Sequence, residues 1–186
     1  IDSKRAAVMR AAVTAGAKIV NDVSALDSDP DSLAVIVETD VSVILMHMQG
    51  TPQTMQDNPA YDKPPEDIRN YLAGRIAICE AEDISRDRIA VDVGIGFGKT
   101  LDHNLELLVR MDVLHALGCA VVIGVSRKSF IGCLTGAKNP KDRVGGSVAA
   151  ALAARDRGVQ IFRVHDVTQA RQAFDVWEAI RGTVPS

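Results

Sequence analysis

The stretch VDVGIGFGKT, residues 91–100, begins as an aliphatic strand, reaches a carboxylate at Asp92, and then spaces three glycines ahead of Lys99-Thr100. The closing Gly-Lys-Thr invites a phosphate-binding reading. A P-loop, however, needs its first glycine at the place occupied by Val93. The glycines therefore suit a tight strand-to-helix turn, Lys99 takes no phosphate role, and the strand-end Asp92 becomes the residue to explain.

Outward from this stretch the chain repeats one pattern. Lys4 to Ala15 carries Ala7, Val8, Ala11 and Ala12 at helical spacing, with Gly16 placed to end the helix. Lys18 to Val20 reads as a short strand leading into Asn21-Asp22, and Asp31 to about Glu38 as a helix behind Ser28-Asp29-Pro30. VSVILMHM, residues 41–48, has almost no polar alternation, as expected of a strand covered on both faces. A turn-rich loop from Gln49 to Lys63 is long enough to expect function in it. Pro64-Pro65 opens a helix to about Glu82. Strands follow at Arg88 to Val93, Ala120 to Val125 and Gln160 to Val164, with helices at Leu101 to Leu117, about Asp142 to Arg157, and Val167 to Ile180. Ser126-Arg127-Lys128-Ser129 reads as loop.

Strand-plus-helix units thus follow a stub at Ile1-Asp2, and their repetition indicates a parallel sheet. Asp2, Asn21-Asp22, His47, Asp92, Ser126 to Lys128, and Arg163 to His165 all fall at or just past the C-terminal ends of strands. An open sheet gathers ligands at one switch point, whereas a closed barrel brings every strand end to one mouth. The expected fold is therefore an α/β (β/α)8 TIM barrel. Such a barrel takes about 250 residues and eight strands. This chain of 186 residues is expected to be an N-terminally truncated portion covering about strands 3 to 8. Residues 1–186 are read as a single domain, incomplete at its N-terminus. The opening Ile1-Asp2-Ser3 has no methionine, basic region or apolar run, so it reads as neither a signal peptide nor a natural start.

Hydrophobic content of 47% with 24% charged residues is ordinary for a globular chain. No apolar run approaches the roughly 20 residues of a membrane span. A net charge of −3 argues against a nucleic-acid partner held by bulk electrostatics. Cys79, Cys119 and Cys133 are widely spaced and include no Cys-x-x-Cys pair, so neither a disulfide framework nor a zinc site is expected, and a reducing cytoplasm is the expected location.

Five motifs, in order, resemble the dihydropteroate synthase family: VNDVSAL at 20–26, LMHMQGTPQTMQDNPAY at 45–61, VDVGIGFGKTLDHNLELL at 91–108, GVSRKSFIG at 124–132 and RVHDV at 163–167. The resemblance implies a barrel enzyme that condenses 6-hydroxymethyl-7,8-dihydropterin pyrophosphate with p-aminobenzoate, giving 7,8-dihydropteroate and pyrophosphate in folate biosynthesis. It also implies Mg2+ as cofactor, sulfonamides as competitors of p-aminobenzoate, and a homodimer. Two departures stand out. Val93 replaces the family's proline after the strand-end aspartate, which frees a fixed φ but keeps the carboxylate. The family's first two strands, with the asparagine associated with Mg2+ and pyrophosphate, have no counterpart, so the principal Mg2+ ligand is expected in the missing N-terminal segment and no residue here is assigned as a metal ligand. Alternative readings are a pterin-binding methyltransferase of the corrinoid pathway, a catalytically impaired pterin-binding fragment, and an ordinary barrel phosphate binder.

From the residues alone, Asp92 reads equally as a cap of the glycine loop and as an acceptor for paired donors on a ligand. Asn21 reads as a turn former or as a donor and acceptor together. The resemblance implies that Asp2, Asn21 and Asp92 hold the pterin's donor edge, that Met46 packs against the ring, and that Lys128 binds the pterin carbonyl near the reacting methylene. It places Ser129 at the p-aminobenzoate carboxylate, with Phe97 as the wall of that side. Arg163 and His165, alternating at the end of the last strand, suit an anion, and pyrophosphate is the expected one. Lys128, Arg163, His165 and Asp92 form the expected catalytic set, while Arg127 and His47 read as structural.

Overall fold

The computed structural model describes residues 1–51 and 53–182. Along them run α1 (Ala6–Thr14), β1 (Ile19–Asp22), α2 (Ser32–Val37), β2 (Ser42–Met46), α3 (Pro64–Ala81), β3 (Ile89–Asp92), α4 (Leu101–Val109), β4 (Ala120–Ile123), α5 (Ser129–Thr135), α6 (Val144–Asp156), β5 (Ile161–Phe162) and α7 (Val167–Gly182). The five strands form one parallel sheet in the order β1-β2-β3-β4-β5. Asp2 adds a single parallel bridge to Asn21 on the outer side of β1, where the stub was expected. Ile1, Ile19, Ile44, Val122 and Ile161, drawn from the first strand to the last, border one groove of about 340 Å3. The sheet is therefore curled, and it forms part of a (β/α)8 barrel.

The two-residue period of a strand divides this sheet into an inner and an outer face. Val20, Val43, Leu45, Val91, Val121 and Ile123 point outward and are fully buried beneath the helices. Between them, Asn21, Ile44, Asp92, Val122 and Ile161 point inward to the groove. Register places Met46 beside Asp92 and Asp92 beside Val122, so a carboxylate sits in a row of apolar neighbours. The outward Asp22 is buried as well, with Oδ1 accepting from the Ser24 backbone and hydroxyl and Oδ2 from the Leu26 backbone. It holds a turn, while its neighbour Asn21 faces the interior.

Three local features differ from the sequence reading. The expected helix over Leu101 to Leu117 ends at Val109, and a 3-10 segment continues over Met111–Leu117. Its three-residue turn puts Met111, Leu114 and Leu117 on one buried side, and Gly118 closes it in the left-handed conformation. Within the expected loop, Ser129 opens the short helix α5, anchored by buried Phe130 and Ile131. The last strand is shorter than expected, so Arg163 and His165 lie just past β5, although the Arg163 backbone still donates to Ile123 O.

Candidate active site

The C-terminal end of every strand, or the segment just past it, contributes to one hollow of about 70 Å3, lined by Asp2, Asn21, Val23, Met46, Asp92, Gly94, Ile95, Phe97, Gly124, Ser126, Lys128, Arg163 and His165. It shares Asp2, Asn21, Asp92 and Arg163 with the inner groove of the sheet, so the two are continuous. The eight expected residues Asp2, Asn21, Met46, Asp92, Phe97, Lys128, Arg163 and His165 meet here. Ser129 does not: it is exposed at the start of α5 and lies outside this lining. Its side chain is one place past Lys128, where the chain has already turned into the helix.

Asp92 ends β3 at 7% exposure. Its Oδ1 accepts from the Gly94 backbone at 2.7 Å. Burial pushes the carboxyl up to about 6, against the opposing pull of that N–H and of the Lys128, Lys99 and Arg163 charges. A carboxylate poised this way is a strong acceptor, because little water competes for it.

Opposite stands Lys128, with Nζ 4.0 Å from the centre of the Phe97 ring. Burial lowers its pKa, Asp92 raises it, and Arg163 lowers it. Its aim depends on Arg127, whose φ of 59° is unusual for a bulky residue. That turn sends Arg127 away from the hollow, where Nε and Nη2 pair with the two Asp166 carboxylate oxygens at 3.0 and 2.5 Å. The Arg127 backbone is held at both ends, with N donating to Ser147 Oγ and O accepting from Arg143. Arg127 is thus structural, as its sequence context implied, and it frees Lys128 to face inward.

At the rim, Arg163 Nη2 lies 3.1 Å from Asp2 Oδ2, both side chains about half exposed. His165 contacts Ser126 Oγ through its backbone N (3.2 Å) and Nδ1 (3.0 Å). An arginine, a histidine and one acid at an open rim, beside a buried acid and a half-buried amine, can receive a ligand that is flat and polar at one end and anionic at the other.

The glycine loop of residues 94–98 is built for backbone contact. A Cβ at Gly94 (φ 69°) would stand 2.0 Å from His47 O, and one at Gly98 (φ 64°) 2.6 Å from Gln49 O. No side chain fits either place, and the close approach is to protein, not to a phosphate. Lys99, at 3% exposure, points back beneath the loop. Its Nζ lies 2.9 Å from Phe97 O and 3.1 Å from His47 Nδ1. Burial, then the Lys99 charge, brings His47 down to about 3, so the ring is neutral and Nδ1 accepts. Burial likewise brings Lys99 down to about 7. His47 is structural, packed edge-on against Tyr71.

The lining also contains Val23, Gly94, Ile95, Gly124 and Ser126, which the sequence reading did not assign. Their signal was available: each follows a strand within a few residues, as barrel-mouth residues do. Among the described residues, no three His, Cys, Asp or Glu side chains gather as a metal-holding group. The described residues therefore offer no all-protein cage for a metal, while Mg2+ ordinarily needs only one or two carboxylates beside a substrate phosphate.

A family model described as pterin binding enzyme matches residues 1–165. Dihydropteroate synthase from Neisseria meningitidis serogroup B is 46% identical over 97% of this chain and 65% of its own length. The Escherichia coli K12 dihydropteroate synthase is 41% identical over 96% of this chain and 63% of its own. The chain thus spans less than two thirds of these relatives. Among solved structures, dihydropteroate synthase from Stenotrophomonas maltophilia, with imidazole bound in its active site, superposes with a TM-score of 0.96 at 41% identity, covering 100% of this chain and 69% of that one. The Xanthomonas albilineans dihydropteroate synthase in complex with 7,8-dihydropteroate superposes at 0.91 with 42% identity, covering 99% and 66%.

Proposed function

This chain belongs to the pterin binding enzyme family, and from that premise we propose that it carries the pterin site of a dihydropteroate synthase. The proposed reaction joins 6-hydroxymethyl-7,8-dihydropterin pyrophosphate to p-aminobenzoate. The observation that carries this reading is the convergence of Asp92, Asn21 and Lys128, far apart in sequence, on one hollow beside the anion-suited pair Arg163 and His165.

The residues divide the work by charge. Asp92 and Asn21 accept hydrogen bonds from the amino and ring N–H groups of the pterin, Lys128 donates to its carbonyl, and Met46 packs on the ring. The C–O bond to pyrophosphate breaks, the methylene carbon carries positive charge delocalised into the ring, and the aniline nitrogen attacks and then loses its proton. Arg163 and His165 stabilise the departing anion, while the Asp92 and Asp2 carboxylates favour the developing cation. Phe97 walls the p-aminobenzoate side. Ser129 is proposed for the p-aminobenzoate carboxylate even though it stands outside the hollow, because it directly follows Lys128 in the chain. Mg2+ is proposed as the cofactor with its principal ligand outside this chain, and no step above passes through it.

Finer points join the same proposal. Sulfonamides are expected to occupy the p-aminobenzoate side; a Yersinia pestis dihydropteroate synthase has been solved with a sulfonamide drug complex. A homodimer is supported by the apolar face of α7, where Val176 is 60% exposed beside Trp177. A cytoplasmic location is supported by the buried free thiols of Cys79 and Cys119. No helix among the described residues is long and apolar enough to cross a membrane.

Titration calorimetry tests the assignment. Asp92→Asn is expected to weaken binding of the dihydropterin pyrophosphate at least about tenfold, the scale of a charge-assisted hydrogen bond. Arg163→Ala is expected to weaken inorganic pyrophosphate by a similar factor. Wild-type affinity in both variants would overturn the reading. Because the chain spans 65% of a full-length relative, binding without turnover is the second outcome to score, by assaying dihydropteroate formation on the same samples.

A further inference from the structure

Ser126 has no role in the reaction described above, yet it lines the hollow at 6% exposure. Among the described residues its hydroxyl oxygen has two hydrogen-bond partners, both on His165: the backbone nitrogen at 3.2 Å and Nδ1 at 3.0 Å. The backbone N–H can only donate, so Ser126 Oγ accepts there. A serine hydroxyl also has one hydrogen to give. Nδ1 is the acceptor in reach. Were the imidazole hydrogen on Nδ1 instead, the oxygen would accept twice and its own O–H, in a residue only 6% exposed, would have no protein acceptor among the described residues. The satisfied network therefore puts the hydrogen of the neutral ring on Nε2.

The next rung of the chain keeps the ring in place. Arg127 grips both oxygens of Asp166, so residues 126 and 127 are stitched side by side to residues 165 and 166. With Nδ1 engaged by Ser126, Nε2 is the ring nitrogen left for a ligand.

We propose that Ser126 is a positioning residue that holds His165 in its Nε2–H tautomer and so presents an N–H donor, never a lone pair, to an anion at the rim of the hollow. The opposite neutral tautomer would turn an acceptor toward that anion. When the ring takes a second proton, the hydroxyl rotates to accept from Nδ1, and Nε2 still donates. The anion half of this inference rests on the pyrophosphate role proposed for His165; the tautomer half does not.

The test is two-bond proton–nitrogen correlation spectroscopy on chain labelled with 15N-histidine. Wild type is expected to show His165 as Nε2–H above its titration. Ser126→Ala is expected to shift it toward a mixture of tautomers and to weaken inorganic pyrophosphate about 3- to 10-fold. Ser126→Thr, which keeps the hydroxyl, is expected to restore both. A wild-type Nδ1–H tautomer, or an unchanged tautomer in Ser126→Ala, overturns the proposal. Should Ser126→Ala fail to fold, the wild-type spectrum alone decides. Pyrophosphate that leaves the His165 resonances unmoved, while the tautomer behaves as expected, would refute the anion role of His165 and uphold its tautomeric control by Ser126.

Discussion

The role proposed for Asp92 asks for a charged acceptor in a place that disfavours charge, and this conflict has measurable consequences. With its carboxyl raised to about 6, pterin binding that needs the carboxylate is expected to be complete above that pH and to weaken as pH falls through it, a dependence that Asp92→Asn should abolish in calorimetry. Stability runs the other way. Between about 4 and 6 the folded state keeps a proton that the unfolded chain releases, so stability falls as pH rises through this window and stays reduced above it. Asp92→Asn is therefore expected to raise the urea midpoint at pH 7.5, a gain on the order of 1–2 kcal/mol after the lost attraction for Lys99 and Lys128. The gain should vanish near pH 4. Asp92 was legible in the sequence because it ends an aliphatic run. The bonds of Ser126 and Lys99 were not, because they are made across the fold: Val93 already excluded a phosphate motif at Lys99, but only the structure shows its amine between His47 and Phe97 O.

At the scale of elements, the glycine loop after β3 is held carbonyl by carbonyl. Gly96 O accepts from Gln56 Nε2 at 2.7 Å, Phe97 O from Lys99 at 2.9 Å, and Gly98 O from the Tyr61 hydroxyl at 2.7 Å. Two of these donors belong to the long loop after β2, so that loop helps hold the wall on which Phe97 stands. Tyr61→Phe is expected to cost about 1 kcal/mol and to speed amide hydrogen exchange at residues 96–98. Gly94→Ala should be far worse. Its Cβ would overlap His47 O at 2.0 Å with φ at 69°, and a loss of about 3 kcal/mol or more is expected in urea denaturation. The long loop itself was legible from its length and turn residues, but its docking was not. Helix α5 was missed for a related reason: Gly132 lowers its local propensity, while that same glycine leaves the room that the Arg143 guanidinium occupies.

The whole molecule is a curled sheet with helices on one face and its inner face partly bare. Its parallel order was legible because βα repetition and buried strands point to one architecture, and the barrel was legible because polar strand ends recur on every strand. What the pattern did not show is how uneven the inner face is: Met46 and Val122 are buried at its centre, whereas Ile19 and Ile161 at its edges are 48% and 42% exposed. This inner face and the α7 face make separable predictions. Sedimentation velocity is expected to show self-association that Val176→Glu weakens at least about tenfold. Ile19→Lys is expected to leave association unchanged and to reduce binding of a hydrophobic dye. In β1, finally, Asn21 faces the hollow and the adjacent Asp22 is locked into a turn by Ser24 and Leu26. An insertion or deletion of one codon between α1 and Asn21 is expected to exchange the two faces, turning Asp22 toward the hollow and Asn21 toward the helices. The length of that short connection is consequently as much a determinant of recognition as any side chain in the hollow.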